Sequence, residues 1–165
     1  MIIWLASYPK SGDEIIRTLL STYVFSQDGS YNPELLNNIK QFPDNELFKQ
    51  LGVDINNEET MYRNYIKAQK LYSDGNAIRF LKTHSCFMNT KTFQFTDRHN
   101  TLGVIYIVRD PRNIVSSIMR HFSIGKNEAI KMITDENNGI RSDDGNLATY
   151  SFLSSWSNHC NSWSN

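Results

Sequence analysis

The sequence predicts an α/β fold, a parallel β-sheet flanked by helices, on three observations. Apolar runs of β type stand at 2–7, 77–82 and 102–108, well separated along the chain. Apolar residues also recur at three- and four-residue spacing, at Ile15, Ile16, Leu19, Leu20 and Tyr23 and again at Ile114, Val115, Ile118, Met119 and Phe122. Asp110-Pro111 opens the second of these patterns, with Asp placed to cap and Pro at the first helical position. Strands alternating with helices favour parallel pairing, because each crossover returns the chain to the same end of the sheet.

The first run, Ile2-Ile3-Trp4-Leu5-Ala6, leads through Ser7-Tyr8-Pro9-Lys10-Ser11-Gly12 into the first helical pattern. The segment 27–76 is polar and broken by Pro33 and Pro43, and reads as a helical insertion between the first two strands. Within it Leu35, Leu36, Ile39 and Phe42 suggest one helix, and Met61, Tyr65, Ile66 and Ala68 another. The third run is nearly continuous in apolar character, which suits a strand buried on both faces. Residues 135–146 carry two clusters of Asp, Asn and Gly and read as a solvated, turn-rich loop. A last helical pattern spans 150–163.

At 165 residues the chain suits one domain, 1–165. Seventeen basic and 17 acidic side chains give a formal net charge of zero, so no global field recruits nucleic acid or an anionic membrane. Cys86 and Cys160 are the only cysteines, which argues against a disulfide framework and against a metal site. The first residues lack a basic, then apolar, leader, and no run is long enough to span a bilayer, so the expected location is cytoplasmic.

Three segments carry the candidate chemistry, each at the C-terminal end of an expected strand, where open α/β sheets place their ligands. A strand, a tight loop bearing Lys10 and a helix start converge backbone N–H groups and a positive dipole end on one point, an anion site. Lys82-Thr83-His84 ends the second strand and offers an imidazole whose ordinary pKa suits proton transfer near neutrality. Arg109-Asp110-Pro111-Arg112-Asn113 follows the third strand, and Ser117 lies two helical turns on from the arginine.

The loop wording resembles the 5′-phosphosulfate loop of sulfotransferases that use 3′-phosphoadenosine 5′-phosphosulfate (PAPS), which reads Y-P-K-S-G, then Asn or Thr, then Thr, then Trp. The later segments are similar to that family's K-T-H segment and to its 3′-phosphate segment, R-[DN]-P-x-[DN]-x-x-x-S, in which every fixed position is filled here. The resemblance covers nearly the whole chain. It implies a P-loop-like sheet, a small-molecule or glycan acceptor and no metal. It implies His84 as general base, Lys10 and Lys82 as stabilisers of the leaving phosphate, Lys10, Ser11, Gly12, Asp13, Glu14 and Ile15 as the 5′ binding segment, and Arg109 and Ser117 as anchors of the 3′-phosphate.

The chain departs from that pattern at Asp13, Glu14 and Ile15. Carboxylates there accept but do not donate hydrogen bonds, and are expected to repel the donor's anion while favouring the helix N-terminus. The family's further strand and C-terminal glycine- and basic-rich loop have no counterpart in these residues, so an incomplete donor site is expected. A second reading is therefore an impaired sulfotransferase relative that binds nucleotide or protein. A nucleotide kinase of related fold is disfavoured by the lack of a Walker A loop. His121, His159 and Cys86 are given packing or surface roles, and Trp156 with Trp163 a core role.

Overall fold

The computed structural model describes residues 1–73, 77–89, 93–143 and 148–164. Four strands make one wholly parallel sheet in the order β2-β3-β1-β4: β1 is Ile2–Ser7, β2 Lys40–Phe42, β3 Arg79–Thr83 and β4 Thr101–Ile107. Pairing runs to Ala6↔Thr83 on one side of β1 and to Ser7↔Ile107 on the other. The C-terminal ends of three strands, and the three loops that follow them, therefore meet at one edge of the sheet. The predicted α/β class with a parallel sheet is the observed one.

The helices are α1 (Asp13–Phe25), α2 (Asn45–Gln50), α3 (Glu58–Arg63), α4 (Tyr65–Ser73), α5 (Pro111–Phe122), α6 (Lys126–Thr134) and α7 (Trp156–Ser164). Two apolar clusters pack α2 to α7 together with the sheet and its loops. The first joins Ile2 and Trp4 of β1 to Phe42, Phe48, Met61, Tyr65, Leu81 and Phe95, with Trp163 packed against it. Its rings meet at tilted or edge-on angles, Trp4 lying 4.9 Å from Phe95 and 5.5 Å from Phe42. The second joins Tyr8 to Ile114, Val115 and Ile118 of α5, Ala129 and Ile133 of α6, and Leu153. Each large side chain so buried contributes roughly 1.5–3 kcal/mol. Asp110 caps α5, its carboxylate accepting from the Arg112 amide at 2.9 Å, with Pro111 next in the chain, as the sequence predicts.

Four expectations are corrected. The apolar residues 35–42 do not form one helix: a 3-10 turn covers Pro33–Asn38, and Lys40–Phe42 becomes a strand that pairs with β3. The stretch 61–68 is split between α3 and α4. β4 is not buried on both faces, since Leu102 and Val104 remain exposed, and among the described residues it is an edge strand that pairs only with β1. A continuous apolar run cannot report whether its strand lies inside a sheet or at its edge. Much of the expected loop at 135–146 is instead β5 (Gly139–Asp143), paired antiparallel with β6 (Ala148–Phe152), which also takes the start of the predicted helix at 150–163. Residues 144–147 of that loop lie outside the described residues. In α1 the periodicity is real but half used: Ile15, Leu19 and Tyr23, spaced four apart, stay 68%, 61% and 88% exposed.

Candidate functional site

The loop between β1 and α1 turns sharply because Lys10 and Gly12 both take left-handed backbone angles, φ 69° and 100°. A side chain at position 12 would be strained there, which is why glycine stands at the helix entry. The Ser11 amide donates back to the Tyr8 carbonyl at 3.2 Å, closing the turn. Gly12 is the N-cap of α1 and supplies no side-chain cap, so the positive end of the helix dipole faces the loop. The Ser11 hydroxyl is buried without a hydrogen-bond partner, and the space a Cβ on Gly12 would enter is open. Arg109 reaches across from the end of β4 and donates from Nη1 to the Lys10 carbonyl at 2.9 Å, which fixes the loop.

Lys82, at the end of β3, is buried against the start of α1. Its ammonium lies 2.7 Å from Asp13 Oδ2 and also contacts Glu14 Oε1. The Lys82 and Asp13 side chains are 9% and 8% exposed, whereas Glu14 is 58% exposed and also pairs with Arg17. Burial alone would raise the Asp13 carboxyl. The neighbouring His84 and Lys82, with the Lys82 hydrogen bond, outweigh it and hold that group below the ordinary carboxylate range. The same balance of burial against Lys82 lowers Glu14. The two carboxylates that the sequence flags as hostile to an anion are thus already engaged by a cation of the same site.

His84 follows directly. Its Nδ1 lies 2.9 Å from the Ser7 carbonyl, which can only accept, so Nδ1 carries the proton and Nε2 the lone pair. Ser7 Oγ, 3.2 Å from the same nitrogen, shares that hydrogen. Burial pushes His84 down, Asp13 pulls it up and Lys82 pushes it down again, for a net lowering that favours the neutral imidazole. Nε2 stands 3.7 Å from Asp13 Oδ2, and a proton accepted there gains a carboxylate neighbour.

Sequence reasoning passed over His159. It is fully buried on α7, and its Nε2 donates to the His84 carbonyl at 3.0 Å. Its Nδ1 must then accept, and the Tyr106 hydroxyl supplies that hydrogen at 2.9 Å. Burial pushes His159 down to about 4, against a smaller upward pull from the His84 carbonyl. One signal was available: Trp156, His159 and Trp163 fall at i, i+3 and i+7, a single helix face. Trp156 and Trp163 pack against the two apolar clusters, as the core reading has it, and Cys86 is buried. His121 is exposed on α5, at the rim of the cavity described next.

Two cavities meet at His84. The smaller, about 400 Å³, is lined by Lys10, Gly12, Asp13, Glu14, Ile15, Lys82, His84, Arg109 and Ser117. The fold therefore gathers on one surface all the expected site residues except Ser11, which lies beneath it. The larger, about 770 Å³, lies on the insertion side and includes Arg17, Asn37, Lys40, Gln41, Asp44 and Ser151. Glu14, Lys82, His84 and Ile140 line both. Among the described residues no cluster of three or more His, Cys, Asp or Glu side chains could hold a metal ion, and no helix is long and apolar enough to cross a membrane.

No curated protein matches the chain. A family model described as the sulfotransferase domain matches residues 2–165, spanning β1, all three candidate segments and α7. With that match laid over a strand-loop-helix turn, a half-buried histidine and two cavities that share it, the chain belongs to the sulfotransferase domain family, a family of transferases.

Proposed function

We propose that this chain transfers a sulfonate group from PAPS to a hydroxyl or amine acceptor, with His84 as general base. The observation that carries the reading is the His84 ring, its tautomer fixed with the Nε2 lone pair free, in the shared wall of two cavities. The donor fits the smaller one: the orphaned Ser11 hydroxyl, the open space at Gly12 and the uncapped start of α1 suit its 5′ anion, beside Lys10. Arg109 and Ser117 would hold its 3′-phosphate, Arg109 through the donors not spent on the Lys10 carbonyl. The acceptor enters from the larger cavity and gives its proton to Nε2. A new S–O or S–N bond forms as the S–O bond to the 5′-phosphate breaks, and the electron pair stays on the phosphate oxygen. Lys10 neutralises that oxygen, and Asp13 stabilises the imidazolium.

A second reading, a relative that binds nucleotide without turnover, is favoured by one observation: Lys82 is held by Asp13 and Glu14. Calorimetry with adenosine 3′,5′-bisphosphate and a transfer assay with labelled PAPS over a panel of alcohols and amines separate the two. The first reading expects binding, transfer, and a loss of about 10²–10⁴-fold in rate for His84→Ala with bisphosphate affinity retained. Binding without transfer supports the second, and absence of binding rejects both.

A further inference from the structure

We infer that His159 is a positioning residue for sulfonate transfer: with Trp163 and Ser162 it holds the backbone that carries His84, and the Tyr106 hydroxyl sets which of its nitrogens does so. The role rests on the reading of His84 as general base, while the hold itself is a property of the fold. It comes from the partners that the backbone of residues 84–87 takes once the chain leaves the sheet.

The parallel ladder of β3 stops at Thr83, which is in register with Ala6 of β1 and Phe42 of β2. Beyond it three side chains of α7 take over. His159 Nε2 donates to the His84 carbonyl at 3.0 Å, Trp163 Nε1 donates to the Ser85 carbonyl at 3.1 Å, and Ser162 Oγ accepts from the Phe87 amide at 3.0 Å. Ser162 sends its own hydrogen back to the His159 carbonyl at 2.7 Å, which leaves its lone pairs for that amide. Residues 159, 162 and 163 stand at i, i+3 and i+4, so one face of the helix grips this segment. The Cys86 amide completes the set by donating to the Phe152 carbonyl of β6 at 2.8 Å.

His84 is thereby held at two points. Its ring is tied through Nδ1 to the Ser7 carbonyl of β1, and its carbonyl is tied to α7. One tether would leave the ring free to swing about it. Two fix where Nε2 lies in the wall that both cavities share. A neutral His159 donates from Nε2 only while Nδ1 accepts, and the Tyr106 hydroxyl at 2.9 Å supplies the hydrogen that Nδ1 takes. The His159 ring is fully buried, edge-on to Tyr8 at 5.4 Å and tilted 26° from Tyr106 at 5.8 Å, so packing holds its orientation. Burying an imidazole costs desolvation that an apolar side chain on this helix face would avoid. What it secures is the carbonyl of the residue whose ring takes the acceptor's proton.

The test compares the full chain with its His159→Phe, His159→Gln and Tyr106→Phe variants and with His159→Phe and Tyr106→Phe combined, each 15N-labelled at histidine. The readouts are kcat and KM for transfer from labelled PAPS to the best acceptor of the alcohol and amine panel, and the His84 ring nitrogens by NMR. His159→Phe keeps a ring between Tyr8 and Tyr106 but leaves the His84 carbonyl unpaired. It should lower kcat on the order of 10–100-fold with bisphosphate affinity retained, and the single Nδ1–H form of His84 should give way to a mixture of tautomers. His159→Gln still donates to that carbonyl and should regain most of kcat and the single tautomer. Tyr106→Phe should lower kcat about fivefold, the worth of one hydrogen bond, and add nothing to His159→Phe. Parent-like kcat and His84 signals in His159→Phe, a Gln variant as impaired as the Phe one, or additive losses overturn the inference. Should His159→Phe fail to fold, Tyr106→Phe decides, and its leaving both kcat and the His84 signals unchanged overturns it. Absence of transfer by the parent chain sinks the sulfonate-transfer reading instead, and the NMR signals still decide whether His159 holds the ring.

Discussion

Lys82 and Arg109 line the same cavity from the ends of the two strands that flank β1, and their circumstances are opposite. Lys82 is buried, and two carboxylates complete its charge. Arg109 is half-buried and spends one donor on the Lys10 carbonyl, with no salt bridge among the described residues. A cation already matched inside the protein adds to rigidity and little to ligand capture. One held in place by a neutral carbonyl keeps its charge for a guest. The cavity is therefore set up to bind an anion on its Arg109 flank, and to bind one on its Lys82 flank only at the expense of an existing ion pair.

The largest effect should come from breaking the compensated flank. Lys82→Met leaves Asp13 buried beside His84 without its cation, and should cost about 3–5 kcal/mol of stability in urea denaturation at pH 7. Adding Asp13→Asn and Glu14→Gln should recover most of that loss. A cost under about 1 kcal/mol for Lys82→Met would show that the pair is screened like a surface bridge, and the contrast with Arg109 would collapse.

A smaller effect tests the neutral histidines behind both flanks. His159 titrates at about 4 in the folded chain and near 6.5 unfolded, so between those values the unfolded state binds the extra proton. Its contribution is complete above pH 6.5 and is lost as pH falls toward 4, about 3 kcal/mol in all. His84 is shifted the same way and adds to the acid loss. His159→Gln can still donate to the His84 carbonyl and accept from Tyr106 but does not titrate. Its stability should therefore fall less between pH 7 and 4.5 than that of the parent, and equal slopes would place the acid sensitivity elsewhere.

The smallest effect concerns the open flank. Arg109→Ala should weaken adenosine 3′,5′-bisphosphate by roughly 10–100-fold, as expected for a lost charged hydrogen-bond pair, and adenosine 5′-phosphate hardly at all. Stability should fall by about 1 kcal/mol, because only the bond to the Lys10 carbonyl disappears. Equal losses for both nucleotides would remove Arg109 from recognition of the 3′-phosphate.

Much of the site was legible because its parts are local. Tyr8 to Gly12, Lys82 to His84 and Arg109 to Ser117 each pair a strand end with its own loop, and a parallel sheet carries all strand ends to one edge. The relation between Lys82 and Asp13 was not legible, since 69 residues separate them and their meeting depends on how β3 lies beside β1. Strand β2 was hidden because three residues carry no usable period, and pairing with β3 alone gives them their form.

By itself the sequence determined which segments are candidates for the site and the alternation of strand and helix that aligns them, because backbone propensity and apolar period act over a few residues. Only the tertiary structure decided which charges are already spent, which tautomer His84 holds, and that a polar cavity walled by the 33–42 segment opens on the far side of that ring. Those outcomes depend on desolvation and on partners brought together from distant parts of the chain, and neither is a property of any one stretch of residues.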